Sequence, residues 1–136
     1  MEGTSKREGD FQEMATGHLS DLVRQGWEAL AAGEFDRLAA MYAENMIFVL
    51  PGQEDVLEGR AAFRDALDGI GQALPPGFDI AEIRYCEGDG EVVNILRWKS
   101  DKLPGGSQCA VLFRFEGDKV VEERWFVDTE QWKAAF

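Results

Sequence analysis

Apolar residues recur at three- and four-residue steps in the first half of the chain and at alternate positions in the second. The sequence therefore divides into a helical part and a strand part. Leu19, Leu22, Val23, Gly26, Trp27 and Leu30 mark one face of a first helix that Gly33 stops. Phe35, Leu38, Ala39 and Tyr42 continue the period as a short second helix ending near Glu44, with Asp36 favourably placed in its first turn. The β-prone run from Met46 to Leu50 predicts a strand that Pro51 and Gly52 end, followed by a polar, acidic loop over residues 53–58. Phe63, Ala66, Leu67, Ile70 and Leu74 predict a third helix, opening after Gly59 and closed by Pro75, Pro76 and Gly77.

Beyond that point residues 78–86, 92–100, 108–115 and 119–128 read as four strands joined by Gly-containing turns, with residues 129–136 as a docking tail. Three helices followed by an antiparallel meander make an α+β order, with helices packed on one face of a curved sheet. Residues 1–15 are polar and read as a mobile arm, which leaves residues 16–136 as the domain.

A length of 136 residues fits one domain. The formal charge of −12, from 26 acidic and 14 basic residues, argues against nucleic acid and anionic membrane surfaces as partners. No apolar run reaches the ~20 residues of a membrane-spanning helix, and the N-terminal stretch lacks the apolar core of a secretory signal, so a cytoplasmic protein is expected. Cys86 and Cys109 show no metal spacing and read as packing thiols; no metal and no cofactor are expected.

Asp128 is the leading candidate for chemistry, because it ends an apolar strand beside Trp125, Phe126 and Trp132. Partial desolvation would raise its pKa and suit it to proton transfer. The competing reading makes it a cap on the tail at 129–135 or a partner of Arg124. Strand alternation groups Cys109, Val111, Phe113 and Phe115 on one face, Asn94, Leu96 and Trp98 on another, and Glu122, Arg124, Phe126 and Asp128 on a third. Tyr42 is the second catalytic candidate, as a group that steadies an oxyanion. Trp27, Phe48, Leu50, Asn94, Trp98, Cys109, Val111, Phe113 and Phe126 are the substrate-contact candidates. Such a lining suits a flat, hydrophobic, oxygenated ligand. The four tryptophans read as core or dimer contacts ahead of ligand stackers, and Val121, Trp125 and Val127 as the outer-face contact of a homodimer. His18 reads as an exposed or capping residue.

The run from Trp27 to Asp36, the run from Met41 to Asn45 leading to Pro51 and Gly52, and the run from Leu57 to Phe63 resemble the nuclear transport factor 2-like superfamily. The run from Gly117 to Thr129 is similar to its SnoaL-like branch, and the resemblance spans residues 16–136. It implies a strongly bent, mostly antiparallel sheet around three helices, forming a cone with an apolar cavity. It also implies a choice among polyketide cyclases, ketosteroid isomerases, dehydratases, epoxide hydrolases and binding domains. The isomerase residues are missing: the base falls on Leu50, the oxyanion-hole tyrosine on Gly26 and the protonated aspartic acid near Val111. The epoxide hydrolase pattern is partial, with Asp128 and Arg97 in place but Lys99 near its second aspartate.

Three readings follow. The first is a cofactor-independent cyclase, isomerase or dehydratase for a polyketide-like or aromatic substrate, with Asp128 as acid/base. The second is a non-catalytic small-molecule-binding or dimerisation domain. The third is an epoxide hydrolase.

Overall fold

The computed structural model describes residues 17–136. The arm expected over residues 1–15 lies outside the described residues. The order of elements is α1 (His18–Ala31), α2 (Phe35–Ala39), β1 (Tyr42–Val49), β2 (Val56–Glu58), α3 (Arg60–Leu67), α4 (Ile70–Ala73), β3 (Asp79–Gly88), β4 (Glu91–Ser100), β5 (Leu103–Glu116), β6 (Lys119–Val127) and α5 (Thr129–Ala134). The six strands form one mixed sheet in the order β2-β1-β6-β5-β4-β3. Strands β3 to β6 pair antiparallel as a meander, while β1 lies parallel to β6, so the fold is α+β.

Three expectations are corrected. The third helix does not run to Leu74: it breaks at Asp68 and Gly69 into α3 and α4, which makes four helices before β3 among the described residues, with a fifth after β6. Tyr42 opens β1 instead of closing a helix, because the chain enters the sheet directly after Ala40 and the backbone of Val120 donates to Met41 O at 3.1 Å. The polar loop after Pro51 contains β2, whose residues Val56, Leu57 and Glu58 pair with Val49, Phe48 and Ile47.

Helix α1 has no side-chain cap of its own, since glycine occupies its N-cap position. Glu87 on β3 replaces one: its Oε1 accepts from the backbone N–H of Ser20 at 2.8 Å. Hydrogen bonds from Ser20, its hydroxyl first and then its backbone N–H, hold the Glu87 carboxyl below its usual range against the opposing effect of burial. A Cβ at Gly17 would sit 2.1 Å from the same oxygen, so a larger residue there would push the flexible Glu87 side chain aside.

The helices and the inner sheet face enclose one core. On β4 every second residue from Val92 to Ser100 is buried, and β5 buries Cys109, Val111, Phe113 and Phe115 in the same alternation. Strand β6 carries an irregularity: Arg114 pairs with Glu122 but Phe115 pairs with Val120, which leaves Val121 opposite no partner. From Glu122 onward the even positions face outward. Arg114 and Arg124 both bind the Glu122 carboxylate there, at 3.0 and 2.8 Å. Burial works against that charge, but the two guanidinium hydrogen bonds outweigh it and hold the Glu122 pKa below normal. The odd positions, Glu123 and Trp125, point inward.

Trp125 is therefore not an outer-face contact. It is 8% exposed and packs edge-on against Trp27, ring centroids 6.2 Å apart. The outer face instead carries a lateral row, Ile95 beside Ala110 beside Phe126, with Phe126 47% exposed.

Candidate functional site

A cavity of about 80 Å³ lies between α1, α3 and the inner face of β1, β5 and β6. Leu22, Gly26 and Trp27 form its helical side, Phe48, Phe63 and Leu67 one flank, and Phe113, Phe115 and Val120 the floor. The wall is aromatic and closely stacked: Phe63 lies 4.4 Å from Tyr42 and 5.6 Å from Phe48, centroid to centroid.

Into this apolar space projects one buried carboxyl group, that of Glu123. Each oxygen has its own donor. The Tyr42 hydroxyl donates to Oε1, and the Trp125 indole N–H donates to Oε2 at 2.7 Å. Burial pushes the Glu123 pKa up to about 7, against the two hydrogen bonds, which favour the ionised form. Burial, with the facing carboxylate and the hydrogen bond to it, raises the Tyr42 pKa well above normal, so Tyr42 remains a donor. A carboxyl poised near neutrality, with two fixed donors and lone pairs to spare, can take or give a proton at pH 7.

Trp27 is fixed from behind: its indole N–H donates to Asn94 Oδ1 at 2.7 Å, and Asn94 in turn donates to the Arg84 carbonyl at 3.1 Å. A second cavity of about 250 Å³ adjoins the first and is lined by Leu50, Pro51, Asp55 and Leu57 with Ala66, Ala73, Leu74 and Trp132.

Asp128 stands elsewhere. It is exposed, and its Oδ1 accepts from Gln131 N at 3.0 Å, which makes it the N-cap of α5. The face of β6 chosen for it, with Glu122, Arg124 and Phe126, is the outer one. Phe126 is accordingly on the surface. Asp128→Ala should cost about 1 kcal/mol of stability through the lost cap and leave the titration of Glu123 unchanged, as urea unfolding and carboxyl NMR would show.

Trp27, Tyr42, Phe48 and Phe113 line the first cavity, and Leu50 lines the second. Asn94 is fully buried and acts on the site only through Trp27. Val111 and Cys109 are core residues that line neither cavity, and burial pushes the Cys109 thiol up to about 12. Trp98 packs against Phe78 and Trp132 at the other end of the core, with centroids 5.6 and 5.4 Å apart. Arg97 and Lys99 are exposed on β4, so the arginine and aspartates of an epoxide hydrolase site do not converge on either cavity. Among the described residues no group of three or more His, Cys, Asp or Glu side chains is spaced to hold a metal ion, and no helix is long and apolar enough to cross a membrane.

The group missed from sequence is Glu123, hidden in the charged run Glu122-Glu123-Arg124. One signal was available. Glu122 shares its face with Arg124, a partner two residues on, whereas Glu123 shares its face with Trp125.

Gly26 opens the cavity on the α1 side. A Cβ there would meet Leu38 at 3.5 Å and Met41 at 3.9 Å, which is ordinary contact. Gly26→Ala should stabilise the protein by about 0.5–1 kcal/mol in urea unfolding through better helix propensity, while shrinking the cavity.

The fold has many relatives of low identity. A "putative polyketide cyclase" from Xanthomonas campestris pv. campestris superposes with a TM-score of 0.69 at 20% identity, covering 90% of this chain and 96% of that one. A "putative SnoaL-like polyketide cyclase" from Shewanella putrefaciens CN-32 gives 0.70 at 14% identity, covering 91% and 88%. Bal32a, from a soil-derived mobile gene cassette, gives 0.70 at 21% identity, covering 91% and 96%. Comparison with curated proteins finds no match. The sequence profile of the SnoaL-like domain matches residues 23–123, most of the chain from the middle of α1 to the buried carboxyl on β6, and the protein belongs to the SnoaL-like domain family.

Proposed function

We propose that the protein is a cofactor-independent enzyme of the cyclase, isomerase or dehydratase type. Its sheet and helices form a cone around the cavity, and it acts in the cytoplasm on a hydrophobic, oxygenated, polyketide-like or aromatic substrate. The observation that carries this reading is the buried Glu123 carboxyl, held by Tyr42 and Trp125 inside a mostly apolar cavity. Ionised, Glu123 abstracts a proton next to a substrate carbonyl; protonated, it returns the proton to another carbon or to a leaving oxygen. Tyr42 and Trp125 orient the carboxyl and stabilise its charged form. Membership of the SnoaL-like family supports the class of reaction, and two of the structural relatives carry polyketide cyclase in their names.

The test is exchange of the carbonyl-adjacent protons of ketones fused to an aromatic ring, such as 2-tetralone, in deuterated buffer. Exchange above the buffer rate that falls about 100-fold or more in Glu123→Gln is expected. Exchange at the buffer rate, or equal exchange in the variant, would remove the catalytic reading and leave a binding domain.

A homodimer through the outer sheet face is favoured by the exposed Phe126 in its row with Ala110 and Ile95. Phe126→Glu should then convert a dimer to a monomer in sedimentation equilibrium. A wild-type protein that is already monomeric would exclude this interface.

A further inference from the structure

An inner cavity of about 80 Å³ is roughly half the ~150 Å³ of an apolar cavity that takes up benzene. No aromatic substrate can lie wholly inside it. The adjoining cavity has about 250 Å³, and the two together, 80 and 250 Å³, reach roughly the lower end of small-molecule sites, which begin near 300 Å³. Five side chains line both: Phe48, Phe63, Leu67, Ile70 and Trp125.

These five are not equally held. Phe48 and Trp125 stand on neighbouring strands of the sheet, and Phe63 and Leu67 are buried residues of α3. Ile70 belongs to α4, a single turn without a buried residue. Gly69 precedes that turn, Gly71 lies within it, and Pro75 and Pro76 follow. Few buried contacts and glycine on both sides of Ile70 make this the part of the wall that yields at least cost.

The charge of the lining narrows the ligand further. Among the described residues no Lys, Arg or His lines either cavity, while Glu123 and Asp118 stand at the inner one and Asp55 at the outer one. An anionic ligand would meet three carboxyl groups and no counter-charge in the lining, in a protein whose formal charge is −12.

We propose that the two cavities are halves of one site for an elongated, uncharged ligand, whose apolar ring body fills the outer half and whose oxygen-bearing end passes Ile70 to reach Glu123. Ile70 then sets how wide an end can pass, and the outer half sets which body is accepted. This rests on Glu123 being the working group, but it concerns binding and can stand or fall apart from catalysis.

The test uses 2-tetralone and 2-naphthoate with wild type, Ala73→Trp, Ala66→Trp and Ile70→Ala, followed by calorimetry and by intermolecular NOEs. Ala66 and Ala73 are exposed at the outer cavity, so tryptophan there fills the cavity without displacing core. Native NMR spectra check folding. The expected results are saturable binding of 2-tetralone, affinity at least tenfold weaker for 2-naphthoate, and a loss of tenfold or more in at least one tryptophan variant. Ring-body protons should show NOEs to Leu57 and Leu74, and protons beside the carbonyl to Phe48 and Tyr42. Ile70→Ala should admit 2-tetralone at least as tightly as wild type. No saturable binding, unchanged affinity in both folded tryptophan variants, NOEs confined to one half, or equal affinity for 2-naphthoate would each overturn the proposal. Binding as described with no catalysed exchange would instead overturn the catalytic reading and leave the two-part site standing.

Discussion

Replacing Glu123 by glutamine is expected to remove about 3 kcal/mol of pH-dependent stability change. The Glu123 carboxyl rises from an ordinary 4.5 to about 7 in the folded protein. Below pH 4.5 it is protonated in both states and contributes no slope. Between 4.5 and 7 the folded protein holds a proton that the unfolded chain has lost, so stability falls as pH rises. Above 7 the carboxyl is ionised in both states, and the full cost of a buried charge remains. Glutamine cannot ionise, and its amide oxygen can still accept one of the two hydrogen bonds that Tyr42 and Trp125 now donate. Unfolding free energies measured from pH 4 to pH 8 should therefore show wild type losing ground to Glu123→Gln by about 3 kcal/mol across that window. Asp21, Glu87 and Glu122, whose carboxyls are held below normal, act with the opposite sign, but they are present in both proteins and cancel in the difference. A constant difference between the two proteins would mean that Glu123 titrates as an ordinary carboxylate.

Trp98→Ala should cost about 3–5 kcal/mol, a larger loss than any other single change discussed for this protein. Trp98 is 1% exposed and closes one end of the core with Phe78 and Trp132, the latter carried on α5. Truncation would remove the central ring of that cluster and leave a cavity under a six-residue helix. The indole N–H of Trp98 finds no acceptor among the described residues, so Trp98→Phe gives up ring volume but no hydrogen bond. The phenylalanine variant should accordingly lose far less than the alanine variant in urea unfolding, and neither should move the Glu123 titration. A shift in that titration would show that Trp98 reaches the site, as strand alternation alone suggests.

Periodicity was enough for the helices that bury a full apolar stripe and for the existence of four strands in the meander, because burial on one face imposes a repeat on the sequence; it missed the start of β5, which begins at Leu103 inside the Gly-containing segment read as a turn. It was not enough for Tyr42, whose place in the apolar period of α2 is compatible with one more helical turn until the parallel pairing with β6 decides the matter. Nor could it show the break at Asp68 and Gly69, since Ile70 keeps the helical spacing across it. On β6 the alternation was legible but its sense was not. Counting back from Asp128 selects the face of Glu122, Arg124 and Phe126; the structure turns the other face inward. The choice depends on long-range facts, namely that Arg114 on β5 reaches Glu122 and that Tyr42 on β1 reaches Glu123. The tail reading of Asp128 as a cap was available from local chemistry alone, because an aspartate followed by a short amphipathic segment satisfies a helix N-terminus without any partner from afar.

The proposed chemistry depends on the protonation of one side chain, and its most direct test is a ¹³C NMR titration of the glutamate side-chain carboxyls in wild type and Glu123→Gln. The expected result is one carboxyl titrating near pH 7 in wild type and absent from the variant. If every glutamate in the wild-type protein titrates below about pH 5, Glu123 is an ordinary carboxylate at neutral pH and the proposed acid/base chemistry has no group to perform it.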